Sequence, residues 1–333
     1  MFRALFSALS PRGARARLSI LIFHRVLAEP DPLFPGEITR EQFDAICAWL
    51  RAWCNVLPLG PAVKALKDGT LPSRAVAITF DDGYADNHAL AAPILARHGL
   101  SATFFVATEY LDGGRMWNDT IIEAVRRTPL RRLNLSEIGE GVQAHLDVDG
   151  MEARRAAIAH LLGRLKYRPV DERERLCELV AFRAEVEPPS DLMMSSEQVA
   201  DLHRAGMQIG AHTAAHPILA TLPDDQALEE IRLGKERLEE IVGQPITLFA
   251  YPNGRPDDDY TYRTVALVKR AGFEAAFTTA WGAADADSDP HQMPRFTPWD
   301  RGRFAFGLRL AYTLWQSRRS RFSTASPAAS AAA

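Results

Sequence analysis

Short apolar runs alternate with amphipathic segments along most of this chain. Each run is too short for a helix and has no polar face, which is typical of a strand buried on both sides of a parallel sheet. We predict such strands at LSILIFHRV (18–26), AVAITF (75–80), SATFFVAT (101–108), MQIGAHT (207–213), ITLFAYP (246–252) and FEAAFTT (273–279). Between them we predict helices, for example at TREQFDAICAWLRAW (39–53) and DDQALEEIRLGKERLEEIVG (224–243). This alternation predicts an α/β protein with a parallel sheet.

One part of the chain departs from the alternation. Residues 112–192 are rich in charge and contain two helical patterns, MEARRAAIAHLLGRLKYR and VDERERLCELVAF, so we predict a helical insertion there. We further predict an N-terminal extension at 1–17, a main domain at 18–301, an amphipathic helix at 302–320 and a disordered tail at 321–333.

The composition excludes several classes of protein. Of the 333 residues, 47% are hydrophobic and 24% are charged, as in a globular protein with a sizeable core. The formal net charge of -3 gives no electrostatic reason to expect nucleic acid as a partner, and no apolar run reaches the roughly 18 residues of a membrane span. The cysteines form no CxxC pair, and arginines interrupt the short apolar patch at the start of the chain. The sequence therefore indicates a secretory signal only weakly, and we expect a reducing, cytoplasmic location, which could be peripheral to the inner membrane.

The apolar run at 75–80 ends in two adjacent acids and a glycine, in TFDDGY. Because side chains alternate along a strand, Asp81 and Asp82 are expected to point in different directions. A strand that ends in a solvated polar turn would explain these residues as well. A pair with separate tasks, one carboxylate binding a metal ion and the other acting as a base, would explain why two acids are present.

Two histidines lie four positions apart in GAHTAAHP. His212 and His216 could bind one metal ion where the backbone turns, and Pro217 disfavours a helix at His216. Histidines at this spacing are also common as surface or capping residues. Together with Asp81 or Asp82, they would complete an open site of two histidines and one carboxylate, which leaves room for water and substrate.

A third segment, FAYPNG, follows a predicted strand with a turn. It contains Tyr251, Pro252 and Asn253, and the free backbone N–H groups of such a turn could bind an oxyanion or a substrate. A plain β-turn has the same composition.

Two other segments hold further candidate residues. MPRFTPWD contains Arg295, which could bind a carboxylate through two hydrogen bonds, and Trp299, which could form the floor of a sugar site. A surface arginine and a core tryptophan are the alternatives. In LIFHRV, His24 ends a predicted strand and could be either a catalytic or a structural histidine.

These segments together resemble the polysaccharide deacetylases of the NodB-homology group, carbohydrate esterases that remove N-acetyl groups from sugar polymers. TFDDGY is similar to the first motif of that family and HTAAHP to the second, and the resemblance runs from about residue 18 to about residue 300. It implies a distorted (β/α)7 TIM-like barrel with a helical insertion at about 112–192, and it makes 18–301 the catalytic domain.

The resemblance also implies roles for individual residues. Asp81 is expected to be the catalytic base, and Asp82 the ligand of one divalent metal ion beside His212 and His216. Zinc is the expected ion, although two histidines and a carboxylate also suit iron, cobalt, nickel or manganese. The backbone N–H of Tyr251 is expected to help hold the oxyanion of the reacting acetamide.

The chain departs from the family pattern in two places. Ala250 stands where the third motif usually has arginine, as in a subgroup that includes enzymes acting on poly-N-acetylglucosamine, and Arg295 is expected to orient the base instead. No Leu-x-His motif follows residue 217. In the same subgroup the order of the motifs is permuted, which makes His24 the expected catalytic acid.

The sequence therefore predicts a metal-dependent N-deacetylase of an amino-sugar polysaccharide or its precursor, in exopolysaccharide or cell-envelope metabolism. A non-catalytic carbohydrate-binding protein on the same fold and an amide hydrolase with a non-sugar substrate are the alternatives. The expected partner is an acetylated amino-sugar polymer or oligosaccharide. The aromatic residues and arginines at 302–320 could also contact an anionic surface such as the inner membrane, although a helix packed on the barrel has the same pattern.

Overall fold

The computed structural model of the chain describes residues 1–139 and 141–316. Within these ranges the strands are β1 (Leu18–Phe23), β2 (Asn55–Val56), β3 (Ala75–Phe80), β4 (Thr103–Val106), β5 (Arg132–Asn134), β6 (His145–Asp147), β7 (Gln208–Ala211), β8 (Leu248–Ala250) and β9 (Ala275–Phe277). The α-helices are α1 (Phe2–Leu9), α2 (Arg40–Trp53), α3 (Leu59–Lys67), α4 (Ala92–His98), α5 (Trp117–Arg127), α6 (Met151–Leu165), α7 (Val170–Arg183), α8 (Ser196–Arg204), α9 (Asp224–Val242), α10 (Tyr262–Arg270) and α11 (Arg303–Gln316). The six predicted strands are confirmed.

The main sheet is parallel, and its strands follow the order β1-β3-β4-β7-β8-β9. β1 and β3 pair along their whole length, from Leu18 opposite Ala75 to Phe23 opposite Phe80. The short β2 pairs with the start of β3. Parallel pairing requires a crossover between successive strands, and helices provide most of the crossovers here.

The two edges of this curled sheet are joined by residues 293–296, which we call the closing segment. Met293 bridges to Phe277 on β9, and Phe296 bridges to Leu21 on β1. Pro294 has no N–H to donate, which keeps the segment from forming a regular strand. The predicted distorted (β/α) barrel is confirmed, and an irregular segment rather than a full strand joins its edges.

Apart from β2, the strands of the main sheet are buried on both faces almost throughout, which explains why their sequences are largely apolar. One face of β3, with Val76, Ile78 and Phe80, packs in a cluster with residues of the surrounding helices. The other face, with Ala75 and Ala77, belongs to a second cluster that α3 also joins. The barrel wall is therefore packed on both sides, and its polar residues collect where the strands end.

Local sequence signals define the starts of two helices. Thr39 caps α2 through a reciprocal capping box, in which its hydroxyl accepts from the Gln42 N–H and the Gln42 side chain accepts from the Thr39 N–H. Ser195 and Gln198 form the same arrangement at the start of α8. α2 begins where the sequence predicts it.

Residues 112–192, the predicted helical insertion, contain α5, α6 and α7 around a separate hydrophobic cluster. They also contain the antiparallel pair β5–β6, which the sequence analysis did not predict. Each of these strands has three residues and buries only the middle one, so neither produces an apolar run. The boundaries of the insertion and of the catalytic domain stay a prediction.

The two ends of the described chain pack together. α1 lies against α11, and the ring of Phe2 lies 4.8 Å from that of Trp53 on α2. The helix predicted at 302–320 is described as α11 up to Gln316; its last four residues and the predicted tail at 321–333 lie outside the described residues. No helix among the described residues is both long and apolar enough to cross a membrane.

Candidate active site

One cavity of about 400 Å³ opens at the carboxyl ends of the barrel strands. This volume lies within the range of about 300–1,000 Å³ that is usual for ligand sites. The predicted site residues that line it are His24, Asp81, Asp82, His212, His216 and Asn253. They follow β1, β3, β7 and β8, so parallel strand ends bring together residues that are far apart in sequence.

Asp82, His212 and His216 form a group that could hold one metal ion. The Nε2 atoms of His212 and His216 lie 3.4 Å and 3.5 Å from Oδ1 of Asp82, and the three ligand atoms all lie within 4.8 Å of one another. Nδ1 of His212 donates to the backbone oxygen of Ala250 at 2.7 Å, which leaves Nε2 free as a ligand. The donor set of two imidazoles and a carboxylate fits zinc and related divalent ions.

The backbone at these ligands adopts a conformation that side chains usually avoid. Asp82 has a φ of 76° and His216 a φ of 52°, both in the left-handed region. Such conformations cost on the order of 1–3 kcal/mol each and persist where the surroundings hold them. The Thr213 hydroxyl accepts from the His216 N–H at 3.0 Å, and the backbone oxygen of Asp82 accepts from the Ala107 N–H at 3.1 Å. The fold thus maintains strained backbone where the ligands lie, which is typical of functional sites.

Asp81 faces a different partner, the guanidinium of Arg295. Nη1 and Nη2 of Arg295 donate to the two carboxylate oxygens of Asp81, each at 2.7 Å. Nε of Arg295 donates to the backbone oxygen of Thr278 at 3.0 Å, and Nη1 also reaches the Thr79 hydroxyl at 3.2 Å. The Arg295 side chain is fully buried. The structure therefore brings Arg295 to the predicted base, from the closing segment of the barrel.

The two acids are ionised for different reasons. Burial by itself would raise the pKa of Asp81, but the charge of Arg295 outweighs it and lowers that pKa below its usual value. Burial also opposes ionisation of Asp82, and the hydrogen bond with His212 lowers its pKa. Burial and the charge of His212 lower the pKa of His216 to about 4. A neutral imidazole and an ionised carboxylate are the forms that bind a metal ion.

His24 follows the last residue of β1 and lines the same cavity, where its side chain is exposed. Its backbone oxygen accepts from Nδ2 of Asn87 at 2.8 Å, which fixes the end of the strand. The next residue, Arg25, forms an ion pair with Asp86 at 2.8 Å. The structure brings His24 to the predicted metal ligands, and its role as the acid stays a prediction.

The structure corrects the expectation for Tyr251. Its N–H donates to the backbone oxygen of Phe277 at 3.1 Å, so the barrel sheet already uses the donor that was expected to hold an oxyanion. Its ring is fully buried, stacks on Tyr260 at 4.0 Å, and its hydroxyl donates to the backbone oxygen of His291. Tyr251 therefore supports the turn from behind the cavity.

Asn253 is the residue of this turn that reaches the cavity. It has a φ of 58°, and its backbone oxygen accepts from the Thr279 hydroxyl at 2.7 Å. No described residue accepts a hydrogen bond from its N–H, whereas Pro252 has no N–H to offer. Pro252 is buried and accepts from the Gly254 N–H. The residue of this turn that lines the cavity is thus Asn253, two residues later than expected, and its N–H has no acceptor among the described residues.

Trp299, which was expected to floor a sugar site, does not line the cavity. It lies beyond the closing segment with 65% of its surface exposed, and its nearest aromatic neighbour is Trp281 at 5.9 Å. Trp299 lies instead at a separate small pocket with Ile38 and Gln42, in and before α2. The expectation is therefore not met.

The helical insertion contributes a wall of the cavity, of which the sequence indicates only Trp117, as an aromatic residue suited to a sugar. The lining residues from this segment are Met116, Trp117, Asn118, Leu162, Gly163, Lys166 and Arg173. A helical pattern in the sequence does not show which part of a helix faces a distant strand end, so it does not predict which residues of the insertion line the cavity.

The sequence of this chain is similar to those of known polysaccharide deacetylases. A family model described as polysaccharide deacetylase matches residues 68–136 and 154–276. The putative polysaccharide deacetylase YxkH of Bacillus subtilis (strain 168) is 21% identical over 282 residues, which are 84% of this chain and 71% of that protein.

Solved structures share the fold. The deacetylase PplD of Streptococcus pyogenes, solved in complex with acetate, is 19% identical, and the match covers 85% of this chain and 92% of that chain at a TM-score of 0.56. IcaB from Ammonifex degensii is also 19% identical, with 92% of this chain and 98% of that chain covered and a TM-score of 0.56. At this level of identity the likeness supports the fold alone.

Proposed function

This chain belongs to the polysaccharide deacetylase family, and from that premise we propose that it is a metal-dependent enzyme that removes N-acetyl groups from an amino-sugar polymer or its precursor. The observation that carries the proposal is the pairing of two distinct carboxylates in one cavity. Asp82 lies beside two histidines, and Asp81 lies against Arg295. The named relatives include deacetylases, and a role in exopolysaccharide or envelope metabolism is part of the proposal.

The ligands Asp82, His212 and His216 would hold the ion. When bound there, a divalent ion supplies Lewis-acid chemistry, which polarises a carbonyl group and lowers the pKa of water from 15.7 toward about 7. Zinc is the first choice for this donor set, and iron, cobalt, nickel and manganese also suit it.

The other residues of the cavity would manage protons and charge. Asp81 accepts the proton of the attacking water, and Arg295 keeps its carboxylate ionised and oriented. The Asn253 N–H, which has no acceptor among the described residues, would donate to the oxyanion that forms at the acetamide carbon. When the C–N bond breaks, a protonated His24 donates its proton to the leaving amine. Water and the N-acetyl sugar are thereby converted to acetate and a free amino sugar.

Acetate release from N-acetylglucosamine oligomers tests this function. Metal-loaded protein is expected to release acetate, and Asp81→Asn to lower the rate by about 10²- to 10⁴-fold while the bound metal stays unchanged. Near-normal turnover by Asp81→Asn would contradict the assignment of the base. Metal binding without acetate release from any acetylated sugar would favour a carbohydrate-binding protein. Amine release from small amides alone would favour the non-sugar hydrolase.

The proposed membrane contact has a structural candidate on α11. Phe304, Leu308, Tyr312 and Trp315 are between 42% and 59% exposed. Their spacing of three or four residues places them on one side of the helix, and the exposed Arg301 precedes them. An apolar stripe of this kind with basic residues beside it fits the surface of an anionic membrane.

Vesicle sedimentation tests the membrane contact. The full chain is expected to sediment with phosphatidylglycerol vesicles, and the double variant Phe304→Ser/Leu308→Ser to lose most of that binding. Leu233→Ser is a matched control, because Leu233 is also 48% exposed but lies on α9. Equal sedimentation of all three proteins would rule out the stripe as a membrane contact. A cytoplasmic location stays a prediction.

A further inference from the structure

The cavity has two chemically different sides. The barrel side contains the acids and histidines of the proposed metal centre, and the wall from the helical insertion contains two cations, Lys166 and Arg173. Lys166 directly follows α6, and Arg173 lies in the first turn of α7. Neither Lys166 nor Arg173 has a role in the proposed hydrolysis.

Arg173 is buried without adequate hydrogen bonding. Only 3% of its surface is exposed, and its Nε and Nη2 atoms are covered from solvent without an acceptor among the described residues. Its Nη1 donates to the backbone oxygen of Lys166 at a long 3.3 Å, and its guanidinium lies 4.9 Å from the ring centre of Trp117. Buried polar groups nearly always have partners, so an unpaired guanidinium edge points to a missing ligand.

The charge of Arg173 has no ion-pair partner at contact distance among the described residues; the exposed carboxylate of Glu174 interacts with it from farther away. No carboxylate oxygen among the residues that the structure describes lies within 4.0 Å of its guanidinium nitrogens. Lys166 has one acidic neighbour, Asp259, whose Oδ1 lies 3.9 Å from Nζ and accepts no hydrogen bond. Arg173 therefore lacks a hydrogen-bonded counter-charge on this wall. Leaving the charge of Arg173 buried and unpaired is costly, and a bound anion would offset it.

We propose that this wall binds a carboxylate on the sugar substrate, so that the preferred substrate is an N-acetyl amino sugar next to an acidic sugar residue. The proposal deepens the function given above and rests on it. Nε and Nη2 form one edge of the guanidinium, and that edge matches the two oxygens of a carboxylate. A carboxylate would also supply the hydrogen-bonded counter-charge that Arg173 lacks.

Rotation of the Arg173 guanidinium would bring its unpaired Nε and Nη2 atoms to a ligand in the cavity. One long hydrogen bond to the backbone oxygen of Lys166 and the contact with Trp117 are the interactions that hold it in its present position. Two charge-assisted hydrogen bonds to a carboxylate would replace that one bond. Lys166, whose side chain is 29% exposed, would add a third contact from the same wall.

The test compares two disaccharides that differ only in the neighbouring sugar. In one, N-acetylglucosamine is linked to glucuronic acid, and in the other to glucose. Wild-type protein is expected to show a kcat/KM at least about tenfold higher for the acidic disaccharide. Arg173→Gln is expected to lower that value by about 10- to 100-fold, mainly through a higher KM. Its kcat/KM for the glucose disaccharide is expected to stay within about threefold of the wild-type value. Equal loss on both disaccharides, or no preference in the wild type, would overturn the proposal.

Three further measurements keep the test decisive. Arg175→Gln, an exposed arginine on the same helix, is the matched control and is expected to behave as the wild type. If Arg173→Gln does not fold, inhibition of the wild type is measured instead: free glucuronate is expected to compete with the glucose disaccharide, and free glucose at the same concentration is not. Stronger inhibition by inorganic phosphate than by glucuronate would overturn the assignment of a carboxylate.

Binding separates this proposal from the proposed function. If neither disaccharide releases acetate, calorimetry still measures whether the wild type binds the acidic one more tightly and whether Arg173→Lys weakens that binding. Tighter, Arg173-dependent binding without hydrolysis would leave the anion site standing and contradict the deacetylase. Acetate release with equal affinity for the two disaccharides would support the deacetylase and contradict the anion site.

Discussion

Arg295 donates two parallel hydrogen bonds of 2.7 Å to Asp81, a residue 214 positions earlier in the chain. The pair is fully enclosed, with side-chain exposures of 0% and 3%. Arg295 belongs to the segment that joins the barrel edges, so closing the barrel and orienting the proposed base depend on the same four residues.

Arg295→Lys tests whether this pair positions the base. Lysine keeps the charge but cannot form two parallel bonds, so we expect kcat for acetate release to fall by about 10- to 100-fold while KM and bound metal change little. Lysine is preferable to glutamine, because removal of the charge would leave Asp81 buried and unpaired at a cost of about 3–5 kcal/mol. Arg301→Lys, at an exposed position, is the control. Loss of metal in parallel with activity would indicate a structural role instead.

Chelation and ligand removal test the metal centre. Dialysis against a chelator is expected to abolish acetate release, and a divalent ion to restore it. His212→Ala is expected to weaken metal binding by more than the 10- to 100-fold that is typical for loss of an outer partner of a ligand. Metal content by mass spectrometry checks this, with His203→Ala as a control outside the cavity. Unchanged metal content in His212→Ala would contradict the proposed ligand set.

Gly234→Ala tests the packing of α9 against the loop that contains the histidines. An added Cβ would lie 2.4 Å from the backbone oxygen of Thr213 and 3.0 Å from the nitrogen of Ala214. We expect a loss of about 1–3 kcal/mol in the free energy of unfolding and weaker metal binding, because the backbone must move. Gly163→Ala, where the new Cβ has no neighbour within 4 Å, is expected to be neutral or slightly stabilising in urea unfolding. Equal effects of the two changes would contradict this packing argument.

Asp119→Asn tests a buried carboxyl behind the cavity. Burial raises the pKa of Asp119 to about 7 from 3.8, and its Oδ1 accepts from the Tyr84 hydroxyl at 3.3 Å. The folded state therefore binds a proton that the unfolded state releases, so this contribution to stability is full below about pH 4 and is lost as the pH rises through 7. Asparagine cannot ionise, so the variant does not lose this contribution. The free energy of unfolding of Asp119→Asn relative to that of the wild type is thus expected to rise between pH 4 and 7, by on the order of 4 kcal/mol at most.

The measurement for Asp119→Asn is urea unfolding of chelator-treated protein at pH 4, 5.5 and 8. The metal is removed because Asp82 contributes to the shift in the pKa of Asp119. Asp258→Asn, at an exposed position, gives the baseline for a surface change of the same kind. A stability difference that does not vary with pH would show that Asp119 is ionised in the folded protein.

The sequence by itself determined six strands of the main sheet and most of the site. A strand buried on both faces needs a continuous apolar run, so each run marks a strand, and the polar residues that follow it lie at the carboxyl edge of the sheet. This local rule was enough to group Asp81, Asp82, His212 and His216, which the structure places around one cavity.

The tertiary structure decided which groups are free to act and which residues complete the site. The Tyr251 N–H is used because β9 lies beside it, and the residue of this turn that lines the cavity is Asn253, whose N–H has no acceptor among the described residues. Arg295 meets Asp81, and Arg173 reaches the cavity wall, only through the closure of the barrel and the packing of the insertion. Spacing along the chain encodes local geometry, whereas contacts between distant segments depend on how whole elements pack, and a pattern in a single sequence does not contain that information.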